Sequence, residues 1–177
     1  MTTRIIGTGS ALPGKVMTND DLSTIVDTSD EWISSRTGIR QRRLAGREEN
    51  VVTLGTEAAR KALEDSGTAP EEIELVLTAT SSSEVYFPNV ACQIQGNLQL
   101  TNAVAMDVSA ACSGFLFVLH MANAYIQSGI YKKILLVGSE TLSRLIDWED
   151  RTTCVLFGDG AGACVVEAQE TGMIDSI

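Results

Sequence analysis

The sequence predicts an α/β fold in which helices cover a mixed sheet, and three observations carry that reading. Apolar runs of strand length recur at residues 4–9, 73–80, 104–108 and 132–140. Between them stand amphipathic patterns with cap signals at their ends. The connections are short, with no linker, low-complexity run or internal repeat, so βαβ units packed as one domain over residues 1–177 are expected.

Residues 4–9 read as a first buried strand, and Leu12-Pro13-Gly14 turns the chain out of it. Thr18 with Asp21, and Thr28 with Glu31, have capping-box spacing and predict two short helices divided near Asp27, the second ending at Thr37-Gly38. Asn50 caps a longer helix on which Val51, Leu54, Ala58, Ala62 and Leu63 share a face. Gly67 supplies its left-handed stop. The run 73–80 is a buried strand, and after a serine-rich loop Pro88 opens a helix reaching about Leu98. Residues 104–108 continue the sheet in parallel, and the helix beyond Cys112 closes at Ser128-Gly129. A further strand over 132–140 leads to TCVLFGDGAGACVVEA, which reads as a last strand pair or one bent strand.

With 44% hydrophobic and 20% charged residues, a chain of 177 can bury a sizeable core. No apolar run approaches the ~20 residues a membrane helix needs, and MTTRIIGTGSALPG lacks a signal peptide's apolar centre, so a cytoplasmic location is the expectation. Cys92, Cys112, Cys154 and Cys164 form no CxxC pair and no array with the single histidine, which favours neither a disulfide framework nor a metal site. A net charge of −10 argues against nucleic acid as a partner. Yet Arg36, Arg40, Arg42, Arg43 and Arg47 hold five of the thirteen lysines and arginines. They are either a solvated face or a local site for phosphate or carboxylate.

Cys112 stands where an apolar run gives way to a helical pattern, in AVAMDVSAACSGFLFVLHMANAYIQSG. A thiol on such a turn meets the positive end of the helix dipole and backbone N–H groups without intrahelical partners. That placement favours the thiolate and supplies part of an oxyanion hole, while Ser109, Ala110, Ala111, Ser113 and Gly114 leave room for an acyl group. The plainer reading is a small buried hydrophobe, which suits Cys92, Cys154 and Cys164 better. His120 is no base for it: eight residues of helix is roughly 12 Å of rise, and a helical histidine among apolar residues reads as structural. FGDGAGA fits neither a dinucleotide nor a P-loop spacing and reads as close backbone packing, a bend, or close approach to a bound group. Trp32 and Arg36, four residues apart, share a helix face and could clamp a nucleotide end, or be a half-buried tryptophan with an incidental arginine.

Taken together, IIGTGSALP, DTSDEWISSRTGIRQRR, ACQIQ, DVSAACSGF, VGSE and DRTTCVLFGDGAGA resemble the N-terminal half of β-ketoacyl-acyl carrier protein synthase III over the whole chain. The resemblance implies a thiolase-like fold and an acyltransferase that starts fatty acid synthesis. It makes Cys112 the nucleophile that takes an acyl group from acyl-CoA, used as a substrate with no permanently bound cofactor and no metal. Trp32 and Arg151 would sandwich the adenine and Arg36 would meet the nucleotide phosphates. Thr28 and Thr37 would line the same mouth. Leu142 and Phe157 would border the acyl and pantetheine channel, and Phe87 would reach across a homodimer axis to close the partner's acyl pocket, favouring acetyl. Malonyl-acyl carrier protein would be the second substrate. The histidine and asparagine that stabilise its enolate lie in the family's C-terminal half, so residues 1–177 alone are expected not to complete a condensation. Two other readings remain: a non-condensing half that holds acyl-CoA or a partner chain, and a thiolase-fold relative with another acyl acceptor.

Overall fold

The structure, a computed structural model, describes residues 1–170. After β1 (Thr2–Ala11), a two-stranded antiparallel ribbon, β2 (Lys15–Thr18) with β3 (Gln41–Leu44), brackets α1 (Asn19–Ser23) and α2 (Asp30–Thr37). Then follow α3 (Val51–Ser66), β4 (Leu75–Ala79), α4 (Val90–Asn97), β5 (Val104–Val108) and α5 (Gly114–Gln127). β6 (Lys133–Thr141), the single-turn α6 (Arg151–Cys154) and β7 (Asp159–Gln169) complete the order. The main sheet runs β1-β7-β6-β4-β5. β4 lies parallel between β5 and β6, and β7 is antiparallel to both β6 and β1, so the sheet is mixed as expected.

Both faces are covered because successive strand residues point to opposite sides. Leu75, Leu77, Ile134, Leu136 and Val166 meet Val118, Ala122 and Ile126 of α5. Their neighbours Val76, Leu135, Val137 and Val165 meet Leu54, Ala58 and Ala62 of α3 and Ile94 of α4. A strand buried on both faces has to be apolar throughout, which is why these runs show no alternation. Each such Leu, Ile or Val contributes about 1.5–3 kcal/mol by leaving water. A smaller cluster of Leu22, Ile33, Cys154 and Val155, with Trp32 and Trp148 packed on it, ties α1, α2 and α6 together.

The caps explain most element ends. Thr18 and Asp21 form the expected box at α1. Asn50 accepts from the N–H groups of Val52 and Thr53, and Gly67 closes α3 at φ +63°. Elsewhere the structure corrects the sequence. Ser29, not Thr28, caps α2, its hydroxyl accepting from the Trp32 N–H at 3.1 Å. The two adjacent hydroxyls offer the same chemistry, and Ser29, extended at φ −149° and ψ 161°, is the one whose oxygen meets the helix start. Pro88 precedes α4, whose cap is Asn89, and Asp107 takes the Val90 and Ala91 N–H groups at 2.9 and 2.7 Å. Ile73 ends a 3-10 turn over Pro70–Glu72, so β4 starts later than the apolar run does. Residues 153–168 hold the end of α6 and the single strand β7, not a strand pair. β2 and β3 carry no apolar alternation and were not foreseen. Among the described residues no helix is long and apolar enough to cross a membrane.

Candidate active site

Between β5 and α5 the chain makes a 3-10 turn, Ala111–Ser113. Ala111 takes φ +46°, a left-handed conformation that costs a residue with a Cβ about 1–2 kcal/mol. The kink leaves Cys112 exposed at the top of the sheet rather than folded into it. The turn's bonds run from the Ser113 N–H to the Ala110 carbonyl, at 3.2 Å, and from the Gly114 N–H to that of Ala111. The N–H of Cys112 lies ahead of both, where an oxyanion donor belongs. The fourteen residues of α5 begin two positions later and aim their positive end at the thiol. Gly114 presses that start onto β4, since a Cβ there would stand 3.1 Å from the Ala79 Cβ.

Cys112 lines a cavity of about 570 Å³ with mostly apolar walls, among them Phe115, Leu142 and Phe157. Gly138 and Gly162 pair across β6 and β7, and both line it with Gly160. A Cβ on Gly162 would meet nothing within 4 Å, so the missing side chain is empty space for a bound group. Along the glycine-rich stretch Gly158 and Gly160 are closely packed, a Cβ standing 3.0 Å from the Arg42 Cβ and 3.1 Å from Leu12 Cδ2 respectively, and only Gly162 faces open space. Glu140 also lines the cavity but is engaged: its carboxylate accepts from the Ser81 N–H at 2.8 Å and from the Ser82 hydroxyl. Ser82 Oγ in turn accepts from the Thr141 N–H at 2.9 Å, clamping the C-terminal ends of β4 and β6. Asp159 holds the turn bearing Leu142, accepting from the Ser143 N–H at 2.9 Å and the Ala45 N–H at 2.6 Å. Sequence reasoning missed Phe115, Glu140 and Asp159, whose roles depend on strands meeting.

A second cluster joins residues far apart in the chain. The guanidinium carbons of Arg36 and Arg151 each lie 4.5 Å from the Trp32 ring centroid. Arg36 also donates to the Trp32 carbonyl at 3.3 Å, and Arg151 to the Asp27 carbonyl at 2.9 Å. Two planes that sandwich a purine stand about 7 Å apart, two contacts of roughly 3.5 Å each. The slot is therefore closed, and admitting a base requires Arg151 to swing off the indole. Thr37 Oγ1 donates to the Ile33 carbonyl at 2.7 Å and accepts from the Ile39 N–H at 3.0 Å, finishing α2. Thr28 Oγ1 is buried with no partner among the described residues. Phe87, 91% exposed on the loop after β4, lies outside the lining of the Cys112 cavity in this chain.

The five clustered arginines do not converge on one anion. Arg40 pairs with Asp30 at 3.1 Å, Arg43 donates to the Pro13 carbonyl at 3.2 Å, and Arg42 is buried. His120 is exposed on α5 and lies outside the lining of the Cys112 cavity. Among the described residues no group of three His, Cys, Asp or Glu is placed to hold a metal ion. Cys154 and Cys164 are buried, and loss of hydration pushes both thiols up, that of Cys164 to about 11. Iodoacetamide at pH 8 is accordingly expected to alkylate Cys112 ahead of Cys154 and Cys164 in the folded protein, as peptide mass mapping would show. Faster labelling of Cys164 would contradict the arrangement.

The family profile described as 3-Oxoacyl-[acyl-carrier-protein (ACP)] synthase III matches residues 106–177, which include Cys112. A beta-ketoacyl-[acyl-carrier-protein] synthase III of Clostridium acetobutylicum is 54% identical over 171 residues, 96% of this chain and 52% of that protein. The crystal structure of 3-oxoacyl-[acyl-carrier-protein] synthase III from Aquifex aeolicus superposes with a TM-score of 0.93 at 51% identity, covering 96% of this chain and 55% of that one. The priming beta-ketosynthase of the R1128 polyketide pathway gives a TM-score of 0.94 at 39% identity, over 97% of this chain and 51% of that one. The chain spans about half the length of the curated relatives it matches.

Proposed function

The chain belongs, as a counterpart of the N-terminal half, to the thiolase-like 3-oxoacyl-[acyl-carrier-protein] synthase III family, and from that premise we propose that Cys112 takes an acyl group from acyl-CoA. The observation that carries the proposal is a single cysteine, raised on a strained turn before α5, opening into an apolar cavity lined by three glycines. The Cys112 sulfur attacks the thioester carbonyl, its own N–H receives the developing oxyanion, and the CoA thiolate leaves. Malonyl-acyl carrier protein then loses carbon dioxide, and its enolate carbon attacks the acyl-cysteine. A new carbon–carbon bond forms while the carbon–sulfur bond breaks, releasing 3-oxoacyl-acyl carrier protein and the free thiol. Leu142 and Phe157 border the acyl and pantetheine channel, and acetyl is the primer this reading favours. Trp32, Arg36 and Arg151 receive the nucleotide end, with Thr28 and Thr37 beside them. Phe87 closes the pocket of a second protomer in a homodimer in the cytoplasm. An exposed cysteine facing a cavity favours this chemistry over a half that only holds acyl-CoA.

The test is formation of acetoacetyl-acyl carrier protein from acetyl-CoA and malonyl-acyl carrier protein by the full-length protein. No product with either acetyl-CoA or longer acyl-CoA donors would refute the reading. At the mouth, Trp32→Ala removes the surface on which both guanidinium groups rest. It is expected to weaken acetyl-CoA binding by about 1–3 kcal/mol, raising KM while leaving kcat nearly constant. Michaelis constants measured for both proteins decide this; an unchanged KM would count against the assignment.

A further inference from the structure

Arg42 is 6% exposed and makes no ion pair with a carboxylate among the described residues. Its guanidinium instead reaches three neutral oxygens: Asn19 Oδ1 at 2.8 Å, the Val155 carbonyl at 3.2 Å and the Thr18 carbonyl at 3.4 Å. A buried charge without an ion-pair partner is costly to stability. Asn19 is itself 1% exposed, and its amide nitrogen donates to Asp30 Oδ1 at 2.8 Å and to the Ile39 carbonyl at 2.7 Å. Asp30 is the first residue of α2 and Ile39 follows its last turn, so one side chain grips both ends of the helix that carries Trp32 and Arg36. Arginine can only donate, and it thereby fixes Asn19 with its oxygen inward and its nitrogen toward α2. Val155 caps the C-terminal end of α6, which carries Arg151.

We propose that Arg42 is a positioning residue for the nucleotide mouth, fixing α2 through Asn19 and α6 through Val155 so that the helices bearing Trp32 and Arg151 stay in place while the Arg151 side chain swings off the indole to admit the base. It sets affinity for the nucleotide end of the donor without touching it. The proposal rests on the reading of Trp32 and Arg151 as that mouth. Arg42 donates to both Asn19 and Val155 from one nitrogen, Nη2; lysine keeps the charge, but its stem ends one bond short of that position.

The experiment compares two acetyl donors in the full-length protein: acetyl-CoA, and acetyl-N-acetylcysteamine, a thioester with no nucleotide. Arg42→Lys is expected to raise KM for acetyl-CoA about tenfold or more, the scale of one lost charge-assisted hydrogen bond. It leaves kcat/KM for the small donor unchanged and adds little in a Trp32→Ala background, because it acts through that residue. Asn19→Ser, which removes the relay and keeps the arginine, gives the same split and decides the matter if Arg42 variants fold poorly. Equal losses with both donors would mean general structural damage and overturn the role. An unchanged KM in Arg42→Lys and Asn19→Ser, with a raised one in Trp32→Ala, overturns the positioning role alone. An unchanged KM in all three overturns the nucleotide reading and the positioning role with it.

Discussion

Cys112→Ala is expected to abolish acetyl transfer, lowering the rate of acetoacetyl-acyl carrier protein formation by about 10³-fold or more, as removal of a nucleophile does elsewhere. The expectation follows from what the turn supplies and alanine keeps. The substitution leaves the backbone N–H, the left-handed Ala111, the α5 dipole and the cavity in place, and removes only the sulfur that forms the bond. Binding of acetyl-CoA should therefore survive while covalent capture is lost. Intact-protein mass spectrometry after incubation with acetyl-CoA should show one added acetyl group on the parent protein and none on Cys112→Ala. Cys92→Ser should still be acetylated, because Cys92 lies on α4, outside the cavity lining. Acetylation that persists in Cys112→Ala would place the nucleophile elsewhere and end the mechanism proposed here.

How far this could be read from the sequence depends on the range of each interaction. Residues 75–79 and 133–141 announce themselves because strands buried on both faces must be apolar throughout, and α3 does so because its caps and apolar stripe are local. The Cys112 turn is legible for the same reason: strand, small residues and helix follow one another within a few positions. The Trp32 and Arg36 pair is set by helical spacing alone. What stayed hidden is what only the sheet brings together. No local signal shows that Arg151 will rest on Trp32, a pairing that only the family resemblance implies, or that Glu140 will be taken up by Ser81 and Ser82. Arg42 belongs to a cluster that reads in sequence as a solvated face or an anion site, and its burial appears only when β3 packs against α1 and the end of α6. β2 and β3 are short and polar, so period-two reasoning had nothing to act on. The direction of β7 is likewise decided by its neighbours, since parallel and antiparallel strands share the same pattern of alternation.

Gly9→Ala, a change of one methyl group, is expected to destabilise the protein by about 3 kcal/mol, at the upper end of overpacking effects. β1 crosses α3 so closely that a Cβ on Gly9 would stand 2.6 Å from the Ala62 backbone nitrogen and nearer still to the Ala58 carbonyl oxygen. Gly7, two residues earlier on the same face, is equally confined, with the Ser66 nitrogen 2.5 Å from its built Cβ. These are backbone atoms of a helix, so no side chain can rotate away; either β1 leaves its pairing with β7 or α3 shifts off the sheet. Alanine also restricts the unfolded chain, which favours folding by about 0.4–1 kcal/mol, too little to offset the clash. For a chain of this size 3 kcal/mol corresponds to a fall of roughly 6–12 °C in melting temperature. Gly14→Ala is the control, since a Cβ there meets nothing within 4 Å, and it should melt with the parent protein. The consequence reaches the site as well: the Ser139 hydroxyl donates to the Val51 carbonyl at 2.7 Å, linking the start of α3 to a residue on the cavity wall. Calorimetry or circular dichroism on both variants tests the argument, and a Gly9→Ala protein that melts with Gly14→Ala would show that α3 does not sit on β1 at this distance.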